Sequence, residues 1–179
     1  MNFEQVTRCF AADREPIVAA LAADPWLWDI DTRRQRYPGA AHGDTRSVIF
    51  RGPMNFDRET IFDDVLSTDY PVLQALVDVV KPLVQEVYEA AGGVHLGRVM
   101  LVSLKAGGHI GAHVDEGLYA QRHRRYHAVV QSDDGNQFRC GDEFTFMRPG
   151  EVWQFNHRTE HEVWNKSARE RIHLIVDVV

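Results

Sequence analysis

Two periods of apolar residues run along this chain. In the first half they recur at helical spacing: Ile17, Val18 and Leu21 follow an Asp13 placed to cap a helix, Pro16 is tolerated in its first turn, and Asp24-Pro25 stops the run. A longer stripe of Leu73, Leu76, Val80, Leu83, Val84 and Val87 predicts a helix over 72–91, kinked at Pro82 and ended by Gly92-Gly93. From Leu96 onward the period shortens toward two. Runs rich in Val, Ile, Phe and Trp predict strands over 97–104, 109–115, 125–132, 136–139, 142–147, 152–156, 161–165 and 171–178. Turns fall at Asp133-Asp134-Gly135-Asn136 and Arg148-Pro149-Gly150. So many short strands in the second half predict an α+β, mainly β domain, a sandwich or barrel with the N-terminal helices packed outside it. The expectation is one domain over 1–179, with 1–95 as helical support and 96–179 as the β core.

Composition narrows the function classes. With 179 residues, 44% hydrophobic, 26% charged and a net charge of −6, the chain reads as an ordinary globular domain. That length buries a core without a disulfide or metal staple, so a bound metal would serve chemistry. The acidic balance makes nucleic acid a poor partner, and Arg122, Arg124 and Arg125 around His123 read as a solvated loop. No run approaches a membrane span, and the charged N-terminal residues leave no apolar core for a signal peptide. Cys9 and Cys140 lie far apart and outside any CxxC spacing, which fits free thiols and a cytoplasmic location. Neither has a local His or Asp to make it a nucleophile, and GxSxG, HExxH and phosphate-loop motifs are missing.

Histidine carries the chemistry. In His113-Val114-Asp115 a spacing of two on a strand puts imidazole and carboxylate on one face. A later His, with His161 the natural choice, would complete a two-His, one-carboxylate facial triad, which suits non-haem Fe(II) and leaves positions open. The HxD pattern also occurs at His42-Gly43-Asp44, beside Pro38-Gly39, where a loop would not hold two ligands on a common face. His157, four before His161, competes as ligand or supporting group, and His109, four before His113, could line the pocket or sit on the surface. Trp153, Phe155 and Trp164 read as barrel core or pocket wall. On the last strand Ile172, Leu174, Val176 and Val178 share one face, and Arg171, His173, Ile175 and Asp177 the other. Arg171 is either an outward residue on a polar face or a fork that grips a carboxylate bidentately.

His113-Val-Asp115, Arg125-Tyr126-His127 and Glu160-His161-Glu162-Val163-Trp164-Asn165, followed by Arg171 and Leu174-Ile175-Val176-Asp177-Val178, resemble the aspartyl/asparaginyl β-hydroxylase family over about residues 96–179. The resemblance implies a double-stranded β-helix, the jelly-roll or cupin-like fold, and an Fe(II)- and 2-oxoglutarate-dependent dioxygenase. It implies iron ligation by His113 and His161 and contact of Arg171 with the distal carboxylate of 2-oxoglutarate. By the same match Arg125 and His127 meet its metal-proximal carboxylate, and Ser103 helps at the distal end. Animal members of the family lack the carboxylate ligand. Asp115 restores the triad here, as in bacterial relatives that hydroxylate free amino acids or lipids, a departure that puts transfer of the peptide aspartyl substrate in doubt.

The expected reaction is hydroxylation of an unactivated C–H of an amino acid, or of an amino-acid residue in a small peptide, by dioxygen. Residues 36–56, including His42, Arg46, Arg51 and Asn55, are candidates for the pocket mouth. The rival readings are a cupin-like metalloenzyme that does not use 2-oxoglutarate, which would have no need of Arg171, and a non-catalytic metal- or ligand-binding barrel.

Overall fold

The computed structural model describes residues 1–36, 41–54 and 60–179. Among the described residues eleven strands form: β1 (Phe3–Thr7), β2 (Thr45–Gly52), β3 (Thr68–Asp69), β4 (Leu96–Leu104), β5 (His109–His113), β6 (Arg124–Gln131), β7 (Asn136–Cys140), β8 (Glu143–Thr145), β9 (Val152–Phe155), β10 (His161–Asn165) and β11 (Arg171–Val178). They make two antiparallel sheets, in the orders β1-β9-β6-β11-β4-β2-β3 and β5-β10-β7-β8. The helices are α1 (Glu15–Ala23), α2 (Arg33–Arg36), α3 (Gln74–Ala90) and α4 (Gly117–Arg122), with a 3-10 turn at Pro25–Asp29.

Every residue of β11 is buried, so its alternation is one of chemistry rather than exposure. Ile172, Leu174, Val176 and Val178 point outward into the cluster formed with Ile17 and Leu21 of α1 and Leu76, Val80, Leu83 and Val87 of α3. Burying such side chains contributes about 1.5–3 kcal/mol each, which fixes the helices on this face. The other face of β11 is turned toward the space between the sheets. There it carries Arg171, His173 and Asp177, all buried, beside an apolar floor that includes Leu104, Val129, Phe138 and Val163.

The first half is more β than its periodicity predicts. β2 lies beside β4 in the larger sheet, with Val48 opposite Leu101, and β1 extends that sheet beyond β9 with Phe3 opposite Phe155. In β2 the burial runs without alternation because both faces are covered, which removes the period-two signal. α1 begins at Glu15, and the Asp13 carboxylate accepts from the Glu15 N–H at 3.0 Å. Pro82 lies inside α3.

The segment expected as a basic loop forms α4 and the start of β6 instead. Gly117 opens α4 with φ +87°, where a side chain would collide with the Phe62 carbonyl. The Tyr119 hydroxyl donates to Asp177 at 3.1 Å and accepts from the Arg98 N–H at 2.7 Å, so α4 is tied to β11 and β4. Arg124 reaches the Ala91 carbonyl, and Arg125 turns inward, which corrects the expectation of three solvated arginines. No described helix is long and apolar enough to cross a membrane.

Candidate metal centre

β5 and β10 are antiparallel neighbours with His113 directly opposite His161, which brings the two imidazoles to 4.1 Å between centroids. The chain past His113 stays extended, held by the Asp115 N–H donating to the His157 carbonyl at 3.0 Å. Asp115 therefore returns to the His113 side, and its Oδ1 lies 3.9 Å from His113 Nε2. One side-chain donor atom from each of His113, Asp115 and His161 falls within 4.8 Å of the others.

The donor chemistry fits a divalent transition metal. His113 Nδ1 donates to the Gly111 carbonyl at 2.8 Å and His161 Nδ1 to the Thr159 carbonyl at 3.0 Å. Each bond sets a tautomer that leaves Nε2 with a free lone pair. Burial lowers the His161 pKa to about 4, keeping that ring neutral near pH 7. Burial works against a charge on Asp115, but Arg125 and a hydrogen bond from His157 outweigh it and hold the carboxyl well below its usual range. Two imidazole nitrogens and one carboxylate oxygen are the set that favours non-haem Fe(II).

Support behind Asp115 is a chain of charge. Its Oδ2 accepts from Arg125 Nη1 at 2.6 Å and lies 3.1 Å from His157 Nδ1, while His157 Nε2 meets the His123 carbonyl at 2.9 Å. Arg125 Nε and Nη2 grip Asp177 bidentately at 2.8 Å each. His157 thus contacts Asp115 from behind and does not join the three converging donors. Arg125, expected at the proximal carboxylate of the cosubstrate, has all three of its nitrogens engaged by Asp115 and Asp177.

Deeper between the sheets sits a second polar group. Arg171 is 3% exposed, which excludes the outward orientation. Its Nη2 lies 2.9 Å from His173 Nδ1, its guanidinium lies 5.8 Å from the centre of the Phe138 ring, and no carboxylate pairs with it among the described residues. Burial lowers its pKa to about 9. His127 Nδ1 stands 3.2 Å from the same His173 nitrogen, and the Nε2 atoms of His127 and His173 are buried with no partner. A buried cation flanked by unpaired polar atoms has the chemistry to receive an anion.

Other expected positions fall elsewhere. Ser103 is opposite Ile172 in the ladder, so it faces the helices, and its hydroxyl donates to the Glu170 carboxylate. Adjacent strand residues point to opposite faces, and Arg171 is opposite Leu104, so Ser103 cannot reach the Arg171 side. His109 is exposed, bonds Glu162 at 2.7 Å and stacks on Trp164 outside the barrel. Phe155 packs edge-on against His161 at 4.9 Å as a wall. Arg46 pairs with Glu170 and Arg51 with Asp69, away from the centre, and Asn55 lies outside the described residues.

His42 does reach the site: its ring meets His113 at 4.8 Å, and its Nε2 lies 3.3 Å from Arg34 Nη2. Asp177 and His173 were missed as site residues although they share the Arg171 face of β11 in the sequence pattern. Nothing in the sequence marked Arg34 or Tyr119.

A cavity of about 720 Å³ opens onto the centre, with His113, Asp115, His42, Arg34, Phe62 and Met100 among its walls. A second one, about 760 Å³ and lined by Asp31, Ser47, Tyr70 and Val72 among others, holds no triad residue.

The family model described as aspartyl/asparaginyl beta-hydroxylase matches residues 68–179. Among solved structures, a 2OG-Fe(II) oxygenase family oxidoreductase from Burkholderia pseudomallei aligns at TM-score 0.53 with 15% identity, covering 96% of this chain and 92% of that one. A predicted oxalate decarboxylase from Thermotoga maritima aligns at TM-score 0.39 with 16% identity over 51% of this chain and 73% of its own. No curated protein sequence matches. The family match covers more than half of the sequence and includes every residue of the His-Asp-His cluster: the chain belongs to the aspartyl/asparaginyl β-hydroxylase family.

Proposed function

We propose that the protein is an Fe(II)- and 2-oxoglutarate-dependent dioxygenase that hydroxylates an unactivated C–H of an amino acid, or of an amino-acid residue in a small molecule or short peptide. The reading rests on one observation: three donors of the right kind converge, and a buried guanidinium on the inner face of β11 pairs with no carboxylate among the described residues. When bound, the iron and its cosubstrate supply the oxidising power, one oxygen atom of O2 leaving in succinate as 2-oxoglutarate loses CO2 and the other entering the substrate.

The chain's own residues do the positioning. His113, Asp115 and His161 hold the metal through Nε2, a carboxylate oxygen and Nε2. Arg171 pairs with the distal carboxylate of 2-oxoglutarate, giving up or sharing its bond to His173. His127, beside His173 in the same interior, would contact the other end. Arg125 and His157 keep Asp115 ionised and aimed. Phe138, Phe155 and Val163 exclude water around them.

Succinate release tests this reading. It should require both Fe(II) and 2-oxoglutarate and fall at least a hundredfold in Asp115→Ala and His161→Ala. Turnover that persists without 2-oxoglutarate would instead identify a cupin-like metalloenzyme.

A further inference from the structure

The cavity of about 720 Å³ meets the metal centre at His113 and Asp115, and its walls include none of Arg171, His127 or His161. It is therefore separate from the deeper cosubstrate site, and under the function proposed above it is where the substrate enters. Its volume lies in the range of about 300–1,000 Å³ typical of pockets that enclose a whole small ligand.

Most charges on its walls are already matched. Arg33 is gripped by Asp31, with contacts of 3.0 and 2.5 Å. Arg125 is held by Asp115 and Asp177. Arg98 donates from Nη2 to the carbonyls of Ile61 and Asp64 at 2.8 and 3.4 Å and lies over the Tyr119 ring at 3.8 Å, while its Nε is buried without a partner. Arg34 differs. Its one hydrogen bond is to the neutral ring of His42, its Nη1 is buried with no acceptor, and no carboxylate pairs with it among the described residues. Because His42 Nε2 accepts from Arg34, its proton sits on Nδ1, and that donor is also buried without a partner. Burial lowers the Arg34 pKa to about 10, the signature of a cation lacking a compensating anion. Through His42 the guanidinium is two contacts from the metal ligand His113, at 3.3 and then 4.8 Å.

Much of the remaining surface is apolar. Ile49, Ile61, Phe62, Met100 and Val114 line the cavity. Met54, on the wall of the other cavity, and Leu66 and Leu118 are exposed as well. Hydrogen bonds hold these chain segments together: the Met54 and Leu66 N–H groups both donate to Asp64, and the Leu118 N–H donates to Asp63.

We infer that the substrate is a monocarboxylate with an apolar body: Arg34 binds the carboxylate, and Ile49, Ile61, Phe62 and Met100 bind the rest. An N-acylated amino acid belongs to that class. The Arg34 fork matches the two oxygens of one carboxylate. The exposed charges of Arg36 and Glu116 on the same walls offset one another, and a phosphate dianion would bring a second negative charge that Arg34 alone does not balance.

The test is calorimetric titration of the anaerobic Fe(II)/2-oxoglutarate protein with N-octanoylglycine, N-octanoylglycinamide, glycine and n-octyl phosphate. N-octanoylglycine should bind at least tenfold tighter than each of the other three. Arg34→Gln should bring acid and amide within twofold of each other while leaving 2-oxoglutarate affinity within twofold of wild type, and Arg34→Lys should keep part of the preference. Equal binding of acid and amide by the wild type overturns the inference. So does glycine or octyl phosphate binding as tightly as the acylglycine, or an acid preference that survives in Arg34→Gln. Binding of Fe(II) and 2-oxoglutarate is recorded before any probe is added, and repeating the series on metal-free protein reads the Arg34 preference alone. Failure of the cosubstrate reading is thereby separated from failure of this one.

Discussion

Arg171 Nη2 and His173 Nδ1 lie 2.9 Å apart in the closed interior between the two sheets, and that imidazole stands where a carboxylate would otherwise balance the guanidinium. The arrangement keeps a cation buried at a cost that an incoming dianion offsets. Arg171→Gln removes the charge and the fork. A charge-assisted pair contributes about 1.5–3 kcal/mol, so 2-oxoglutarate affinity should fall about ten- to a hundredfold. Titration of 2-oxoglutarate into the Fe(II) protein measures this, and an unaltered affinity would remove Arg171 from its assigned role.

The same geometry fixes two tautomers. His173 Nδ1 faces the Arg171 donor at 2.9 Å and so must accept, placing its proton on Nε2; His127, 3.2 Å from that nitrogen, then donates from Nδ1. Long-range proton–nitrogen NMR spectra of the ligand-free protein should show His173 protonated at Nε2 and His127 at Nδ1. The opposite pair of tautomers would mean that Arg171 points elsewhere.

Ser103→Ala separates the two faces of β4. Its hydroxyl serves Glu170 on the helix side, so the variant should lose about 1 kcal/mol of stability in urea unfolding and keep wild-type 2-oxoglutarate affinity. A tenfold loss of that affinity would place the side chain inside the barrel.

Acid should destabilise the metal-free protein. Burial lowers the pKa of His42, His127, His161 and His173. Between the ordinary histidine value near 6.5 and these lower values the unfolded chain binds more protons than the folded one, so stability rises with pH there and is lost as pH falls. For His161, with a pKa of about 4, the loss on going from pH 7 to 4 is on the order of 3 kcal/mol. Urea midpoints measured across this range should decline steadily with acid, and a flat profile would show that these rings are not held neutral.

Much of this was legible in the sequence where a strand has one chemically marked face. His161 and Arg171 sit on the strands that the pattern predicted at 161–165 and 171–178, and the 113/115 spacing did place imidazole and carboxylate together, although β5 itself ends at His113. β2 escaped because Ser47, Val48 and Ile49 are all buried and show no alternation. Ser103 was displaced by parity, since a shift of one residue moves a side chain to the other face of a strand. The roles of His42 and Arg34 depend on a loop folding back over β5, which no local pattern encodes.

The most direct measurement of the central claim is an anaerobic titration of the protein with Fe(II) and then 2-oxoglutarate, followed in the visible. A metal-to-ligand charge-transfer band should grow to one equivalent of each in the wild type and be absent from Asp115→Ala and His161→Ala. No band in the wild type, or an equal band in those variants, would contradict the assignment of this centre.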